Sequence, residues 1–190
     1  MTTPKQITSE LVKNLWDHMT KHYGTTVKTK QKSLFMNMIG SFLNLFCIQN
    51  KYAFLKDYTT TIGHTIYVPF TIGMDEGIWT LYQQLLVCIH EHQHIVQSNK
   101  DGWLKFNWNY LLSSSCRAQY EAEAYSTDIE LHWYYSKQIP NTHDLALILT
   151  EYAVSPNKIS DAENILNARA VRIQDGEIIN ESTKVAIELL

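Results

Sequence analysis

Residues Leu81–Ser98 read LYQQLLVCIHEHQHIVQS and contain the pattern HExxH, in which Glu91 follows His90 and precedes His94. The stretch has no Pro or Gly, and leucine and glutamine, which favour helices, dominate its first half. On an α-helix each residue turns about 100°, so the two imidazoles lie about 40° apart around the axis and one turn apart along it. We therefore predict a largely buried helix whose two histidines can share one metal ion.

The chemistry that this spacing favours is zinc binding. Two imidazoles at i and i+4 can hold one zinc ion, and Glu91 reaches the same side, where it can deprotonate a water bound by the metal. His92 falls on the far, apolar side and is interpreted as a core histidine, and Cys88 as a small core residue. Because HExxH is short, a helix that merely happens to carry two histidines is the alternative.

A third ligand candidate lies in Ser113–Lys137, which is also predicted to be helical. One stripe of this helix, extending about 40° to either side of Glu121, carries five residues: Arg117, Glu121, Tyr125, Asp128 and His132. The opposite side carries four polar residues and is interpreted as solvent-facing: Gln119, Glu123, Ser126 and Glu130. We therefore predict that Glu121 is the third ligand and that Glu123 is solvated. The alternative is an ordinary surface pair between Arg117 and Glu121 at i, i+4.

Asp128 lies about 10 Å along the helix axis from Glu121, which is too far to share a metal ion directly. We predict instead that it accepts the spare N–H of a zinc-binding histidine, as carboxylates near metal sites commonly do.

The order of these motifs resembles a known family. A helical HExxH followed by a glutamate on a second helix is similar to the gluzincin metallopeptidases. The fuller strings TTIGHTIYVPFTIG (60–73), HEHQHIVQ (90–97) and YEAEAY (120–125) resemble small zinc metallopeptidases encoded by bacteriophages and bacteria. The resemblance covers about Thr59–His132 and implies a zincin-like fold with His90, His94 and Glu121 as zinc ligands and Glu91 as general base.

One position departs from that family. Many gluzincins place an aspartate four residues after the ligand glutamate, whereas here that position is Tyr125. This departure is the reason for assigning the supporting role to Asp128. A donor to the oxyanion of the reaction is also needed, and Tyr125 and His132 are the candidates on the same stripe.

Composition limits the other classes of protein. The chain has 190 residues, 45% hydrophobic and 18% charged, which describes one globular domain spanning 1–190. The net charge of −3 and the absence of a Lys/Arg cluster argue against nucleic-acid binding. Three cysteines in no ligand spacing favour a reducing compartment, and the N-terminus has no signal-peptide pattern, so a cytoplasmic protein is expected.

The remaining elements complete a fold of mainly helical α+β class with a small antiparallel sheet. Helices are predicted at Ile7–Tyr23, capped by Thr8 or Ser9 and Gly24, and at 33–49, a buried segment too often interrupted by polar residues to span a membrane. Strands are predicted at 52–58 and 64–73. WLKFNWNYLL (103–112) is interpreted as a packing segment or short strand whose aromatic residues are core or line a substrate pocket. Three further helices are predicted at 141–153, 160–173 and 182–190.

Pro69 removes a backbone donor, which predicts that Ile66–Phe70 is an edge strand. An edge strand beside the zinc helix can pair with an extended peptide substrate. An ordinary strand of a small sheet is the alternative.

Taken together, the sequence predicts a zinc-dependent peptidase acting on a peptide or protein substrate, with no nucleic-acid or membrane partner. The rival from another class is a non-catalytic protein on a zincin scaffold, such as a phage structural or host-interaction factor with a structural zinc or no metal. A small helical binding protein without metal is the second rival. Substrate, cleavage preference and oligomeric state leave no signal in the sequence.

Overall fold

The computed structural model describes residues 4–33 and 58–190. In this part of the chain the fold is mainly helical. The helices are α1 (Ser9–Tyr23), α2 (Leu81–Asp101), α3 (Trp103–Leu112), α4 (Ser114–Ser136), α5 (Thr142–Ile148), α6 (Pro156–Gln174) and α7 (Glu181–Ile187). The strands are β1 (Thr26–Thr29), β2 (Thr60–Ile62) and β3 (Thr65–Val68), and short 3-10 turns occupy Lys30–Lys32 and Leu149–Tyr152.

Helix α1 has the ends that its sequence predicts. The Thr8 side chain accepts a hydrogen bond from the Leu11 backbone N–H at 3.1 Å. Gly24 ends the helix in the left-handed conformation with φ 62°, which glycine adopts without steric cost. The predicted apolar face is buried, with Leu11, Leu15 and Met19 among its residues.

The sheet differs from the prediction in two respects. Strand β3 pairs antiparallel with β2 and parallel with β1, so the three-stranded sheet is mixed rather than antiparallel. Because β3 lies between the other two strands, the edge position predicted for Ile66–Phe70 is wrong. The strand ends at Val68, so Pro69 lies beyond the hydrogen-bonded ladder and its missing N–H costs no pairing. The parallel pair with β1 arises from a long connection, which sequence patterns alone do not reveal.

Residues 103–112 also differ from the prediction, because they form helix α3 rather than a strand. Gly102, with φ 86°, separates α2 from α3, and Ser113 separates α3 from α4. Strand-like alternation of apolar and polar residues was misleading here, since α3 has apolar side chains on two faces. Its outer face exposes large residues, among them Leu104, Trp108 and Leu111.

By its internal contacts the chain divides within α2 into a unit of Ile7–Glu91 and a unit of Met1–Gln6 with His92–Leu190. In the first unit the core lies around Trp16. Its ring packs against Phe70 with centroids 6.1 Å apart, and its indole N–H donates to the Gln84 carbonyl at 3.2 Å. The Gln84 side chain in turn binds backbone groups of the loop 73–79, including Gly73 N and Met74 O. Gln84 thereby fixes this loop to the start of α2.

The second unit is built on α4, which packs against α6. The core there contains twelve buried residues: Ala118, Ala122, Tyr125, Ile129, Ala146, Leu149, Val154, Ile159, Ala162, Leu166, Ala170 and Ile173. Small alanines on α4 and α6 allow the two helices to approach closely.

The C-terminal helices agree with the predictions within about one turn, apart from the 3-10 turn that ends the first of them. The helix predicted at 33–49 lies outside the described residues apart from Ser33, and so does the strand predicted at 52–58 apart from Tyr58. Within the described part of the chain, no helix combines the length and the apolar character that a membrane span requires.

Candidate metal centre

The predicted HExxH helix exists, and α2 runs without interruption through both histidines. Thr80 accepts a hydrogen bond from the Gln83 backbone N–H at 3.2 Å and so satisfies one N–H of its first turn. His90 and His94 are both buried. Because the two side chains lie one turn apart on one continuous helix, their relative position is fixed by helix geometry alone.

Glu121 lies on α4 and is fully buried. The ligand atoms of His90, His94 and Glu121 all lie within 4.8 Å of one another. His94 Nε2 and Glu121 Oε1 are 3.6 Å apart, which is too long for a hydrogen bond. Two ligand atoms on one tetrahedral zinc ion are about 3.4 Å apart, so the separation fits a shared metal ion. The three predicted ligands therefore form a possible metal-binding group.

The hydrogen bonds of Gln97 determine which nitrogen of His94 carries its proton. The Gln97 Nε2 donates to the Tyr120 carbonyl at 2.9 Å, and this fixes the orientation of the amide. Gln97 Oε1 then lies 2.9 Å from His94 Nδ1, and because Oε1 can only accept, Nδ1 must be the donor. In the neutral ring Nε2, which lies 3.6 Å from Glu121 Oε1, is consequently the nitrogen with the lone pair.

This arrangement places two electron-pair donors against each other in a buried site. An imidazole nitrogen lone pair and a carboxylate oxygen repel each other unless a cation lies between them. A proton on Nε2 or a metal ion supplies that cation. The donor set of two imidazoles and one carboxylate can therefore bind a metal ion.

The alternative use of Glu121, an ion pair with Arg117, is not what the structure contains. Arg117 Nη1 donates to the Tyr110 carbonyl at 2.6 Å, and Nη2 donates to the Ala153 carbonyl at 2.6 Å. The guanidinium therefore joins the end of α3 and the segment after α5 to α4. Glu121 lies beside His94 and accepts a hydrogen bond at Oε1 from the Tyr110 hydroxyl.

Sequence reasoning placed Tyr110 only among aromatic residues of the core or a substrate pocket, and it missed both the contact of Tyr110 with Glu121 and the role of Gln97. Tyr110 is half-buried on α3, and its ring meets that of His94 edge-on with centroids 6.1 Å apart. Its contact with Glu121 joins two helices, and no local spacing rule signals such a pair. Gln97 lies seven residues after His90, which on a helix places it within about 20° of that histidine, so its phase was a usable signal. Gln97 accepts the spare N–H of His94, one of the two histidine N–H groups for which Asp128 was the predicted acceptor.

Glu91, the predicted general base, is buried, and its Oε2 accepts a hydrogen bond from the Thr61 hydroxyl at 2.5 Å. A buried lysine, Lys30, lies near enough to Glu91 for the two charges to interact. Burial lowers the pKa of Lys30 to about 7, and the Glu91 carboxylate partly opposes that shift. Lys30 Nζ donates to the Tyr58 carbonyl at 3.0 Å and to Thr60 Oγ1 at 2.8 Å. Glu91 is therefore held by strand β2.

The two predicted oxyanion donors have different surroundings. The Tyr125 hydroxyl lies 3.1 Å from that of Tyr152, and burial, followed by the charge of nearby groups including Glu121, raises the pKa of Tyr125 well above its usual value. His132 is eleven residues from Glu121 on the same helix, about 16 Å along the axis. The structure therefore does not bring His132 together with the three candidate ligands, and burial lowers its pKa.

The side of α4 opposite Glu121 is not the solvent-facing side that its polar residues suggested. Ser126 and Glu130 are buried, and Glu123 is only partly exposed. Glu123 Oε1 accepts from Gln93 Nε2 at 3.2 Å and lies 3.7 Å from the Arg169 guanidinium. Glu123 is thus a structural partner and stays outside the ligand group, as the helical phase predicted. His92 and Cys88 are buried as predicted, and burial raises the pKa of the thiol.

Comparisons of the chain with protein-family models, with curated proteins and with solved structures find no match. The geometry of His90, His94 and Glu121 is therefore the basis of the function proposed below.

Proposed function

We propose that this chain is a zinc-dependent peptidase of the gluzincin type, with His90, His94 and Glu121 as the metal ligands. The observation that carries the proposal is that the ligand atoms of three buried residues, His90, His94 and Glu121, lie within 4.8 Å of one another, with His94 Nε2 3.6 Å from Glu121 Oε1. A structural ion pair does not require His90 on the same stripe, whereas a metal site does. Glu91, next to His90, is the residue type that peptide hydrolysis needs and that a purely structural site does not.

When bound, zinc supplies a Lewis acid and makes water acidic enough to act as a nucleophile near neutral pH. In the proposed reaction Glu91 accepts a proton from the attacking water as the water oxygen bonds to the peptide carbonyl carbon. Thr61 holds Oε2 of the carboxylate, which assigns proton transfer to the other oxygen. The C–N bond then breaks, and Glu91 delivers the proton to the leaving nitrogen.

Burial of the ligands favours one other function, a structural metal site without catalysis. His90, His94 and Glu121 are 7%, 8% and 0% exposed, and structural zinc sites are closed to solvent. A structural site would have a fourth protein ligand and a catalytic site would not, because four protein ligands leave no position on the metal for water or substrate.

The first test is zinc content and zinc affinity, measured by elemental mass spectrometry and chelator competition. We expect one zinc per chain in the wild type and an affinity lower by about 1,000-fold or more in Glu121→Ala, since one of three protein ligands is lost. Glu123→Ala is the matched control two residues away and is expected to keep wild-type affinity. A wild type that binds no zinc when it is supplied would overturn the proposal.

Catalysis is tested separately, by incubating the zinc-loaded protein with a peptide library and detecting new termini by mass spectrometry. We expect Glu91→Gln to keep its zinc and to lose cleavage by a factor of at least about 100. If the wild type binds zinc and cuts nothing, or if Glu91→Gln cuts equally well, the structural-site function is favoured instead.

A further inference from the structure

Tyr110 is joined to the candidate ligands by two separate contacts. Its hydroxyl donates to Oε1 of Glu121, the same oxygen that lies 3.6 Å from His94 Nε2. Its ring packs edge-on against the His94 imidazole. The contact through the hydroxyl therefore acts on one ligand and the contact through the ring on another.

The hydroxyl contact is important because Glu121 is fully buried. A buried carboxylate has to be compensated by hydrogen-bond donors, and it otherwise rotates or takes up a proton. Tyr110 donates to the carboxylate from α3, and this fixes the rotation of the carboxylate about its last bond. The oxygen that faces His94 is thereby kept in the ligand position.

Helix α3 is itself held in the register that this contact needs. Arg117, one turn before Glu121 on α4, donates to the Tyr110 carbonyl at 2.6 Å. Phe106, one turn before Tyr110, packs against Tyr120 of α4 with ring centroids 4.7 Å apart. The backbone and the hydroxyl of Tyr110 are thus tied to α4 at consecutive turns.

We infer that Tyr110 is a positioning residue of the metal site, which holds Glu121 in the orientation that binds the ion. This inference rests on the proposed metal site and adds to it a residue that the HExxH pattern does not contain. Hydrogen-bond partners of this kind typically contribute a factor of about 10 to 100 in metal affinity.

The test is Tyr110→Phe, which removes the hydroxyl and keeps the ring against His94. We expect zinc affinity, measured by chelator competition, to fall by about 10- to 100-fold. The visible absorption of the cobalt-substituted protein should also change, since the carboxylate ligand changes its geometry, and a merely structural role would not alter it. Asn109→Ala is the matched control. It removes another hydrogen bond of α3, the one to the Tyr120 hydroxyl at 3.4 Å, and is expected to change zinc affinity by less than about twofold.

Tyr110→Leu removes the same hydroxyl in a second way and is expected to lose at least as much affinity, so the test stands even if one variant folds poorly. Wild-type zinc affinity and an unchanged cobalt spectrum in Tyr110→Phe would overturn the inference while leaving the metal site intact. Failure of the wild type itself to bind zinc or cobalt would remove the metal site, and the inference with it.

Discussion

Helix α4 carries two buried glutamates that differ in their partners. Glu121 is 0% exposed and Glu130 is 3% exposed. The Glu130 carboxylate accepts hydrogen bonds from the backbone N–H groups of Ile179 and Asn180 and from the Asn180 side chain. Glu121 accepts a hydrogen bond from the Tyr110 hydroxyl and lies 3.6 Å from His94 Nε2.

This difference separates a structural carboxylate from a candidate ligand. The donors of Glu130 are fixed by the chain entering α7, so the group is compensated without any ion. Burial raises the pKa of Glu130, and the Thr183, Asn180 and Ile179 donors oppose that shift. Glu121 lies beside a nitrogen of His94 as well as the Tyr110 hydroxyl, and the proposed metal ion would lie between the carboxylate and that nitrogen. Burial alone therefore does not identify the functional residue, whereas the type of partner does.

The largest effect is expected from Glu130→Gln. The NH2 of the new side chain would replace the oxygen that accepts from the Asn180 side chain. Two N–H donors would then face each other in a buried site where one of them now has an acceptor. We expect the free energy of unfolding to fall by about 3 kcal/mol. Urea denaturation followed by circular dichroism measures this. Zinc affinity should stay at the wild-type value, and a large loss of affinity would contradict the separation of the two glutamates.

Glu121→Gln is expected to change stability in the opposite direction. A small shift of the new amide brings one N–H within hydrogen-bond distance of His94 Nε2, and the Tyr110 hydroxyl can turn to accept the other N–H, so the metal-free protein should gain about 1 kcal/mol. Zinc should then no longer raise the melting temperature, because one ligand is lost. The same denaturation experiment, with and without zinc, checks both parts. A metal-free variant less stable than the metal-free wild type would show that Glu121 already has its full set of donors.

Lys30 extends the comparison to a buried cation. Its pKa is about 7 in the folded protein, against 10.5 for a lysine exposed to water, so the unfolded chain binds more protons between these values. Burial of the charged lysine therefore lowers the free energy of unfolding by its full amount below pH 7, and this loss becomes smaller as the pH rises from 7 toward 10.5. We expect the stability of the wild type relative to Lys30→Met to increase by about 2 kcal/mol between about pH 6 and pH 9. A pH-independent difference would refute the lowered pKa.

The smallest effect is expected at His143, which lies 3.0 Å from Glu163 on the protein surface. The neighbouring carboxylate raises the pKa of this histidine, yet both side chains remain accessible to water. His143→Gln should change the melting temperature by less than about 2 °C, because exposed ion pairs contribute little. A loss of stability in His143→Gln as large as that in Glu130→Gln would mean that exposed pairs contribute as much to the stability of this fold as buried ones.

The sequence was sufficient for features that depend on a single helix. The positions of His90 and His94 on α2, and the choice of Glu121 over Glu123 on α4, follow from helical phase. The ends of α1 at Thr8 and Gly24 follow from capping chemistry.

Features that depend on segments distant in the chain were not predictable in this way. Glu130 was interpreted as solvent-facing, because its phase cannot show that Asn180, fifty residues later, covers it. Strand β1 was missed because it is short and pairs in parallel across a long connection. Tyr110 was missed because residues 103–112 alternate like a strand while folding as a helix.

The neutral amide of Gln97 has a consequence for how such a site would be supplied with its metal. A carboxylate in that position would push electron density toward Nε2 and strengthen the bond to a cation, and an amide oxygen does this less strongly. The proposed site would therefore release zinc faster than a site with an aspartate or glutamate partner. The occupancy of the proposed site would therefore depend more strongly on the zinc concentration around the protein than the occupancy of a site with a carboxylate partner.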